Sequence, residues 1–122
     1  MSRLHVIATI ADPFLSLIKD DPVRPDISRE FRVGPQTNVF VLLDDLGVVP
    51  QAVVCCAYRD SVPETVEELL AWPADIMSSV NTAVFYTIWS YTAGSGRRLI
   101  TSARSWIESN KEGVTNFVTL SP

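Results

Sequence analysis

The sequence predicts a mixed α/β domain with helices on both faces of one sheet. The chain has 122 residues, of which 47% are apolar, and this is enough for a single buried core. Two neighbouring predicted strands are apolar almost throughout, which indicates that both sheet faces are covered. The predicted elements run strand, helix, helix, strand, strand, helix, strand, helix, strand, an order typical of a mixed α/β fold.

The first third of the chain predicts a strand and two helices. Leu4 to Ile10 is rich in branched apolar residues and favours a strand. Asp12-Pro13 follows as a helix N-cap with proline at the first helical position. Apolar side chains then recur at helical spacing: Phe14, Leu15, Leu17 and Ile18. After a proline-rich link, Asp26 to Phe31 predicts a short second helix.

A hairpin and a third helix come next. Asn38 to Asp44 and Gln51 to Tyr58 are two apolar strands, and the turn Asp45-Leu46-Gly47 between them predicts antiparallel pairing. Ser61 to Trp72 predicts a helix that begins at Ser61 or Pro63. Its acidic residues are interpreted as a solvated face near the helix N-terminus, where negative charge is favourable.

The last third predicts strand, glycine turn, helix and strand. Asn81 to Tyr91 is aromatic and β-branched, as strands are. After the turn Gly94-Ser95-Gly96, one apolar stripe has helical spacing: Leu99, Ile100, Ala103, Trp106 and Ile107. Val114 to Leu120 predicts a final strand.

Composition excludes several classes of function. The net charge is −4 and the sequence pI about 4.8, so electrostatic binding of nucleic acid over the whole surface is not expected. Cys55 and Cys56 would point to opposite faces of a strand and lack the spacing of a zinc site, so neither a mutual disulfide nor a metal is predicted. With no signal peptide and no apolar run long enough to span a membrane, we expect a soluble, cytoplasmic protein.

The turn Gly94-Ser95-Gly96 carries the chemical signal. Glycine permits a tight turn and close approach of a ligand, and the first amides of the next helix have no internal partners. Arg97 and Arg98 put positive charge where the helix dipole disfavours it, which a bound phosphate would relieve. The dinucleotide G-x-G-x-x-G and the P-loop motif are both absent, and a plain tight turn into a helix remains an alternative.

This segment resembles the acyl-CoA signature [QR]-x-x-G-x-[GA] of the GNAT superfamily of N-acetyltransferases. The matching stretch is Tyr91 to Gly96, followed by Arg97 to Ile100, and the order of elements is similar over nearly the whole chain. The resemblance implies acetyl-CoA as co-substrate. It implies that the pyrophosphate is held by the amides of Gly94, Ser95, Gly96, Arg97 and Arg98. It also implies that the strand backbone at Val84 and Tyr86 pairs with the pantetheine arm.

Two features depart from the family pattern. Tyr91 stands where the family usually has Gln or Arg, and the chain stops at Pro122, where the family continues with a helix and two strands. We therefore expect residues 1–122 to form one GNAT-like domain that is incomplete at its C-terminus. The segment that often supplies the general acid is not in this sequence, and Glu30, Asp44 and Tyr58 are candidate bases by rough location only. His5 is interpreted as structural.

Three functions remain open from the sequence. The first is an N-acetyltransferase that acts on an unidentified amine, or the cofactor-binding core of one. The second is a catalytically inactive GNAT-like binding or interaction module. The third is an unrelated α/β domain whose glycine turn is only a turn. If the last strand lies at a sheet edge, its apolar face and open hydrogen-bonding groups are exposed, so we also expect a homodimer that packs through this C-terminal region.

Overall fold

A computed structural model describes residues 3–34, 36–71 and 80–120, and a five-stranded mixed sheet forms its centre. The strands lie side by side in sequence order; the first four are antiparallel, and the last pair is parallel. Their bounds are β1 Arg3–Ile7, β2 Thr37–Leu43, β3 Pro50–Arg59, β4 Thr82–Ser90 and β5 Asn116–Thr119.

In the described ranges, four helical elements cover the sheet, and local capping residues explain where three of them begin. A 3₁₀ helix spans Pro13–Asp20, and three α-helices span α1 Arg29–Arg32, α2 Val66–Leu70 and α3 Ser95–Asn110. The side chains of Asp12, Ser28 and Thr65 accept hydrogen bonds from backbone amides in the first turns of the 3₁₀ helix, α1 and α2.

The sheet has a core on each face, as the apolar strands predicted. Helix α3 packs on one face through Leu99, Ala103 and Ile107, which are fully buried against the side chains of β2, β3 and β4. The 3₁₀ helix, α1 and α2 cover the other face, where Leu15 and Leu69 are buried. The predicted mixed α/β class and the predicted apolar stripe of the last helix are both confirmed.

Several predicted boundaries were wrong by a few residues. The first helix is a 3₁₀ helix rather than an α-helix, although its predicted Asp12 cap and N-terminal proline are confirmed. The second helix begins at Arg29 and not at Asp26, because Ser28 caps it. The third helix begins at Val66 and not at Ser61 or Pro63, because Thr65 caps it. The predicted end of this helix, Trp72, lies outside the described residues.

Strand β5 lies at the edge of the sheet, which is the position on which the expected homodimer depends. Within the ranges that the structure describes, it pairs with β4 alone, over four residues. The homodimer expected from this edge stays a prediction. Among the helices in the described ranges, none has both the length and the apolar character needed to cross a membrane.

Candidate functional site

The candidate site begins where the pairing of β4 with β5 ends. The two parallel strands are paired from Thr82 opposite Asn116 to Phe85 opposite Thr119, and the Leu120 amide donates to the Phe85 carbonyl at 3.1 Å. Strand β4 continues to Ser90, whereas β5 ends at Thr119. Within the described residues, no strand pairs with this side of β4 beyond Phe85. This leaves an open edge of β4 from Tyr86 to Ser90, which we call the wedge.

A β-bulge in β4 lies at the start of the wedge. Cys55 of β3 is opposite Thr87 and Cys56 is opposite Phe85, so Tyr86 is the extra residue. Beyond the bulge, the Tyr91 amide donates to the Gln51 carbonyl on the β3 side at 2.8 Å. Because backbone groups alternate in direction along a strand, Thr87 and Trp89 also point toward β3, and the backbone of Ile88 points into the wedge.

The wedge contains a cavity of about 350 Å³. Its walls come from β4, the end of β5, helix α3 and the loop before α1: Val23, Phe85, Tyr86, Thr87, Ile88, Ile100, Thr119 and Leu120. Most of these side chains are apolar, as is usual for a ligand pocket. Ile88 is 38% exposed.

The predicted glycine turn is adjacent to this cavity. Gly94 is the N-cap of α3 and has a φ of +78°, a backbone conformation that favours glycine. A β-carbon on Gly96 would lie 3.7 Å from the Cδ1 atom of Ile88, so the first turn of α3 directly faces the wall of the wedge. The wedge and the helix N-terminus therefore form one continuous surface.

Ser95 holds the helix N-terminus in place. Its side chain is fully buried, and its hydroxyl lies 2.8 Å from the Gln51 carbonyl and 2.7 Å from the Thr92 carbonyl. Its amide is also directed at the Thr92 carbonyl, at 3.4 Å. The structure thus gives Ser95 an anchoring position.

The other predicted cradle residues fall into two groups. Gly96 and Arg97 belong to the first turn of α3, where amides lack helical acceptors, whereas the Arg98 amide is the first with a regular acceptor, the Gly94 carbonyl. Both arginine side chains are exposed, and within the described residues neither forms an ion pair. The Arg98 guanidinium lies over Gly94, with Nη1 3.8 Å from the position of an added β-carbon.

The two predicted pantetheine-binding positions differ in their surroundings. Tyr86 lies at the wedge, and its carbonyl accepts a hydrogen bond from Arg24 Nε at 2.8 Å. Val84 lies outside the wedge, in the part of β4 that is paired on both sides, with Ala57 of β3 and Val118 of β5. Strands therefore flank Val84 on both sides, and Ile88 has the open edge instead.

A buried polar cluster behind the wedge was not predicted from the sequence. The Asp21 carboxylate accepts hydrogen bonds from the Val23 and Arg24 amides, from Arg32 Nη1 at 2.8 Å and from the Thr87 hydroxyl at 2.9 Å. Burial opposes ionisation of Asp21, but these donors outweigh burial and lower its pKa. The sequence signal was weak, because Asp21 sits between helices in a polar stretch that is typical of a loop.

Tyr91, the residue that departs from the family signature, joins two elements. Its hydroxyl lies 2.7 Å from an Asp20 carboxylate oxygen and 3.0 Å from Trp89 Nε1. The end of β4 is thereby tied to the end of the 3₁₀ helix. Tyr91 thus has a structural role at the position where the family usually has Gln or Arg.

The candidate bases do not line the wedge cavity. Glu30 is exposed on α1, and Asp44 accepts amide hydrogen bonds from Val48 and Val49 in the β2–β3 turn. The Tyr58 hydroxyl is buried and donates to Asn38. His5 is paired with Asp12 at 2.7 Å on β1. None of these residues is among those that line the cavity.

Comparisons with known proteins identify the fold. No family model matches the chain, and no curated protein sequence matches it. Malonyl-CoA decarboxylase from Agrobacterium vitis is 25% identical with a TM-score of 0.80 over 99% of this chain. The same enzyme from Rhodopseudomonas palustris is 24% identical with a TM-score of 0.76 over 99%. This chain spans only 33% and 31% of the length of these two proteins.

Acetyltransferases are also similar in structure. The aminoglycoside N-acetyltransferase AAC(6')-Iy, solved in complex with CoA, has a TM-score of 0.62 and 12% identity. That match covers 100% of this chain and 78% of the acetyltransferase, and at such identity it establishes the fold alone. The five-stranded mixed sheet, its helices and these matches show that the chain has the GNAT acyl-CoA N-acyltransferase-like fold.

Proposed function

We propose that this chain binds an acyl-CoA thioester along the wedge and the N-terminus of α3. The observation that carries the proposal is the continuity of the two: the cavity wall at Ile88 faces Gly96 in the first turn of the helix. A long ligand with an anionic end and an extended arm fits such a surface. CoA has this shape, and the similar structures include a CoA complex.

The pyrophosphate would lie at the helix N-terminus. The amides of Gly94, Gly96 and Arg97 donate to it, and the guanidinium groups of Arg97 and Arg98 supply the charge. Ser95 positions this turn through its buried hydroxyl. The resemblance implied that the Ser95 amide also holds the pyrophosphate. Because this amide is directed at the Thr92 carbonyl, we assign that contact to the amides of the neighbouring glycines.

The pantetheine arm would follow the open edge of β4. An amide-containing arm pairs with exposed strand backbone as an added strand does. The backbone of Ile88 offers this edge, and the thioester then reaches the bulge at Tyr86. Val84 is left out of this path because strands flank it on both sides.

The first candidate reaction is acetyl transfer to an amine. The amine nitrogen attacks the thioester carbon, the carbon–sulfur bond breaks, and the amine proton is passed on as the thiolate is protonated. The residues described around the cavity supply hydroxyl groups but no carboxylate or imidazole. The alternative of a CoA-binding module without turnover therefore remains a specific competitor.

The second candidate reaction is decarboxylation of a malonyl-type thioester. The observation that favours it is the TM-score of 0.80 at 25% identity, against 0.62 at 12% for the aminoglycoside acetyltransferase. In this reaction the terminal carbon–carbon bond breaks, CO₂ leaves, and a proton is added to the α-carbon. Both candidates use the same CoA-binding surface.

Calorimetric titration with acetyl-CoA tests the common proposal. We expect saturable binding that weakens as salt rises, because two phosphates contribute. In the double variant Arg97→Gln/Arg98→Gln, loss of two exposed charge contacts should weaken binding by about 5- to 30-fold, since each is worth about 0.5–1 kcal/mol. The matched control is Lys19→Gln/Arg29→Gln, which removes two exposed charges elsewhere.

Equal loss of affinity in the control and in the cradle variant would contradict the placement of the pyrophosphate. Turnover then separates the reactions. Thiol release with a panel of amines supports acetyl transfer, and conversion of malonyl-CoA to acetyl-CoA supports decarboxylation. Saturable binding with neither reaction supports the binding module.

A further inference from the structure

We propose that the exposed face of α3 docks an acidic carrier protein that presents the acyl group on a phosphopantetheine arm. The inference rests on the proposed binding of an acyl thioester and adds the kind of partner that delivers it. It follows from the charge of α3, from the way Arg104 is held and from the point at which such an arm is joined to its carrier.

Helix α3 concentrates positive charge in an acidic protein. From Ser95 to Ile107, the sequence has three of its ten Lys and Arg residues and none of its fourteen Asp and Glu residues. The three are Arg97, Arg98 and Arg104, and all of them are exposed. The whole chain has a net charge of −4, so this segment opposes the overall balance. A local basic surface attracts an acidic partner and steers its approach.

The three arginines lie on the side of α3 that faces away from the sheet. Arg104 follows Arg97 by seven residues, which is close to two helical turns and about 10 Å along the axis. The neighbouring exposed positions, Thr101 and Ser105, have short hydroxyl side chains. We call Arg97, Arg98, Thr101, Arg104 and Ser105 the basic face of α3. Its short side chains leave room for another helix to lie along it.

An aromatic stack holds Arg104 in place beside the wedge. Its guanidinium carbon lies 4.6 Å from the centroid of the Phe117 ring on β5. Phe117 stacks on Phe85 with the ring centroids 6.4 Å apart, and Phe85 lines the wedge cavity. In the part of the chain that the structure describes, the Arg104 guanidinium has no ion pair or hydrogen bond. A guanidinium stacked in this way keeps the N–H donors in its plane available to a carboxylate.

Free CoA has no charge at the position of Arg104. Helix α3 connects the parallel strands β4 and β5, so it runs back along β4 from the glycine turn. Arg104 lies over Phe117, which is opposite Ala83, and is therefore on the pantetheine side of the pyrophosphate. Pantetheine is uncharged, and the adenosine with its phosphate lies beyond the pyrophosphate. Arg104 is thus left for an anionic partner other than CoA.

The attachment of a phosphopantetheine arm explains why a carrier would lie on this face. In a carrier protein, the phosphate of the arm is bonded to a serine side chain. The proposed function puts that phosphate at the N-terminus of α3, so the carrier itself would begin there and lie over the exposed side of the helix. An acceptor amine has no such connection to α3. Acidic side chains around the carrier's serine would then meet the arginines of the basic face.

Calorimetry with three ligands tests the docking. They are acetyl-phosphopantetheine alone, an acyl carrier protein that bears the same acetylated arm, and that carrier without an arm. We expect the wild type to bind the acetylated carrier about tenfold more tightly than the free arm, the combined size of several exposed charge contacts. The carrier without an arm should bind more weakly than the acetylated carrier. Equal binding of the acetylated carrier and the free arm, or of the two carrier forms, overturns the inference.

Charge reversal at Arg104 tests where the carrier docks. Arg104→Glu should weaken binding of the acetylated carrier about 5- to 30-fold, because it turns one exposed contact into a repulsion. The dissociation constant of acetyl-CoA should stay within about twofold. Arg29→Glu is the matched control, since it makes the same change of net charge at an exposed position on α1. Arg104→Lys keeps the charge and should bind the carrier nearly as the wild type does.

Equal effects of Arg104→Glu and Arg29→Glu on the carrier overturn the inference, and so does an equal loss for the carrier and acetyl-CoA. If Arg104→Glu fails to fold, the wild-type ratio of acetylated carrier to free arm decides. Binding of acetyl-CoA without binding of the acetylated carrier overturns the docking alone. Absence of binding by both overturns the proposed function as well.

Discussion

Replacement of Asp21 by asparagine tests the buried cluster behind the wedge. The Asp21 side chain is 0% exposed and accepts four hydrogen bonds, one of them from Arg32, whose side chain is 1% exposed. Asp21→Asn leaves the Arg32 charge buried without its carboxylate, which costs about 3–5 kcal/mol. Domains of 122 residues have a free energy of unfolding of about 6–18 kcal/mol, so the loss is large.

Urea unfolding followed by circular dichroism measures this loss. Two milder variants are measured beside Asp21→Asn for comparison. Thr87→Val removes one hydrogen bond to the same carboxylate and should cost about 1 kcal/mol. Asp12→Asn is the control, since it disturbs the partly buried pair with His5, which is more exposed than the Asp21–Arg32 pair, and should cost about 1 kcal/mol or less. An Asp21→Asn cost no larger than that of Asp12→Asn would refute the assignment of a buried ion pair.

The same residue gives a pH dependence with a definite sign. The folded-state pKa of Asp21 is lowered, so its contribution to stability is complete above the unfolded pKa of about 3.9 and is lost as pH falls through the folded value. Wild-type stability should therefore fall below about pH 4 more steeply than that of Asp21→Asn. Parallel pH profiles for the two proteins would contradict the lowered pKa.

Three further outcomes follow from the fold. Gly94→Ala should lower the free energy of unfolding by about 1–2 kcal/mol because of its positive φ, whereas Gly96→Ala should leave stability nearly unchanged, as thermal melts would show. Ile107→Ala should cost about 2–5 kcal/mol and the exposed control Glu108→Ala less than about 0.5, by urea unfolding. Light scattering at micromolar protein should give the mass of two chains; the mass of one would contradict the dimer.

The arrangement of the sheet and α3 was readable from the sequence because their signals are local. The apolar residues from Leu99 to Ile107 recur with the period of an α-helix. The three that the structure buries, Leu99, Ala103 and Ile107, are spaced four residues apart, as one helix face requires. The hairpin of β2 and β3 was similarly marked by its turn. Short helices were placed less well, since a cap such as Thr65 decides their start and Ser61 and Pro63 offered equally good local signals.

The site was predictable only in part, for a physical reason. The N-terminus of α3 was predicted because the residues that form the glycine turn are consecutive in the sequence. The wedge depends on the bulge at Tyr86, which is a matter of register between strands. Arg24 reaches Leu120 across 96 residues, and Thr87 reaches Asp21 across 66. Contacts between residues so far apart in sequence leave no local pattern. The sequence therefore indicated the glycine turn but neither the buried cluster around Asp21 nor the contacts of Arg24.

A nitrogen–proton correlation spectrum of the labelled chain, titrated with CoA, tests the central claim most directly. CoA lacks an acyl group, so the result depends on the wedge and the helix N-terminus alone. We predict that the largest shift changes occur at the amides of Ile88, Gly94, Gly96 and Arg97, with little change along β1 and β2. No shift changes at about 1 mM CoA in a folded sample, or changes confined to β1 and β2, would contradict the account.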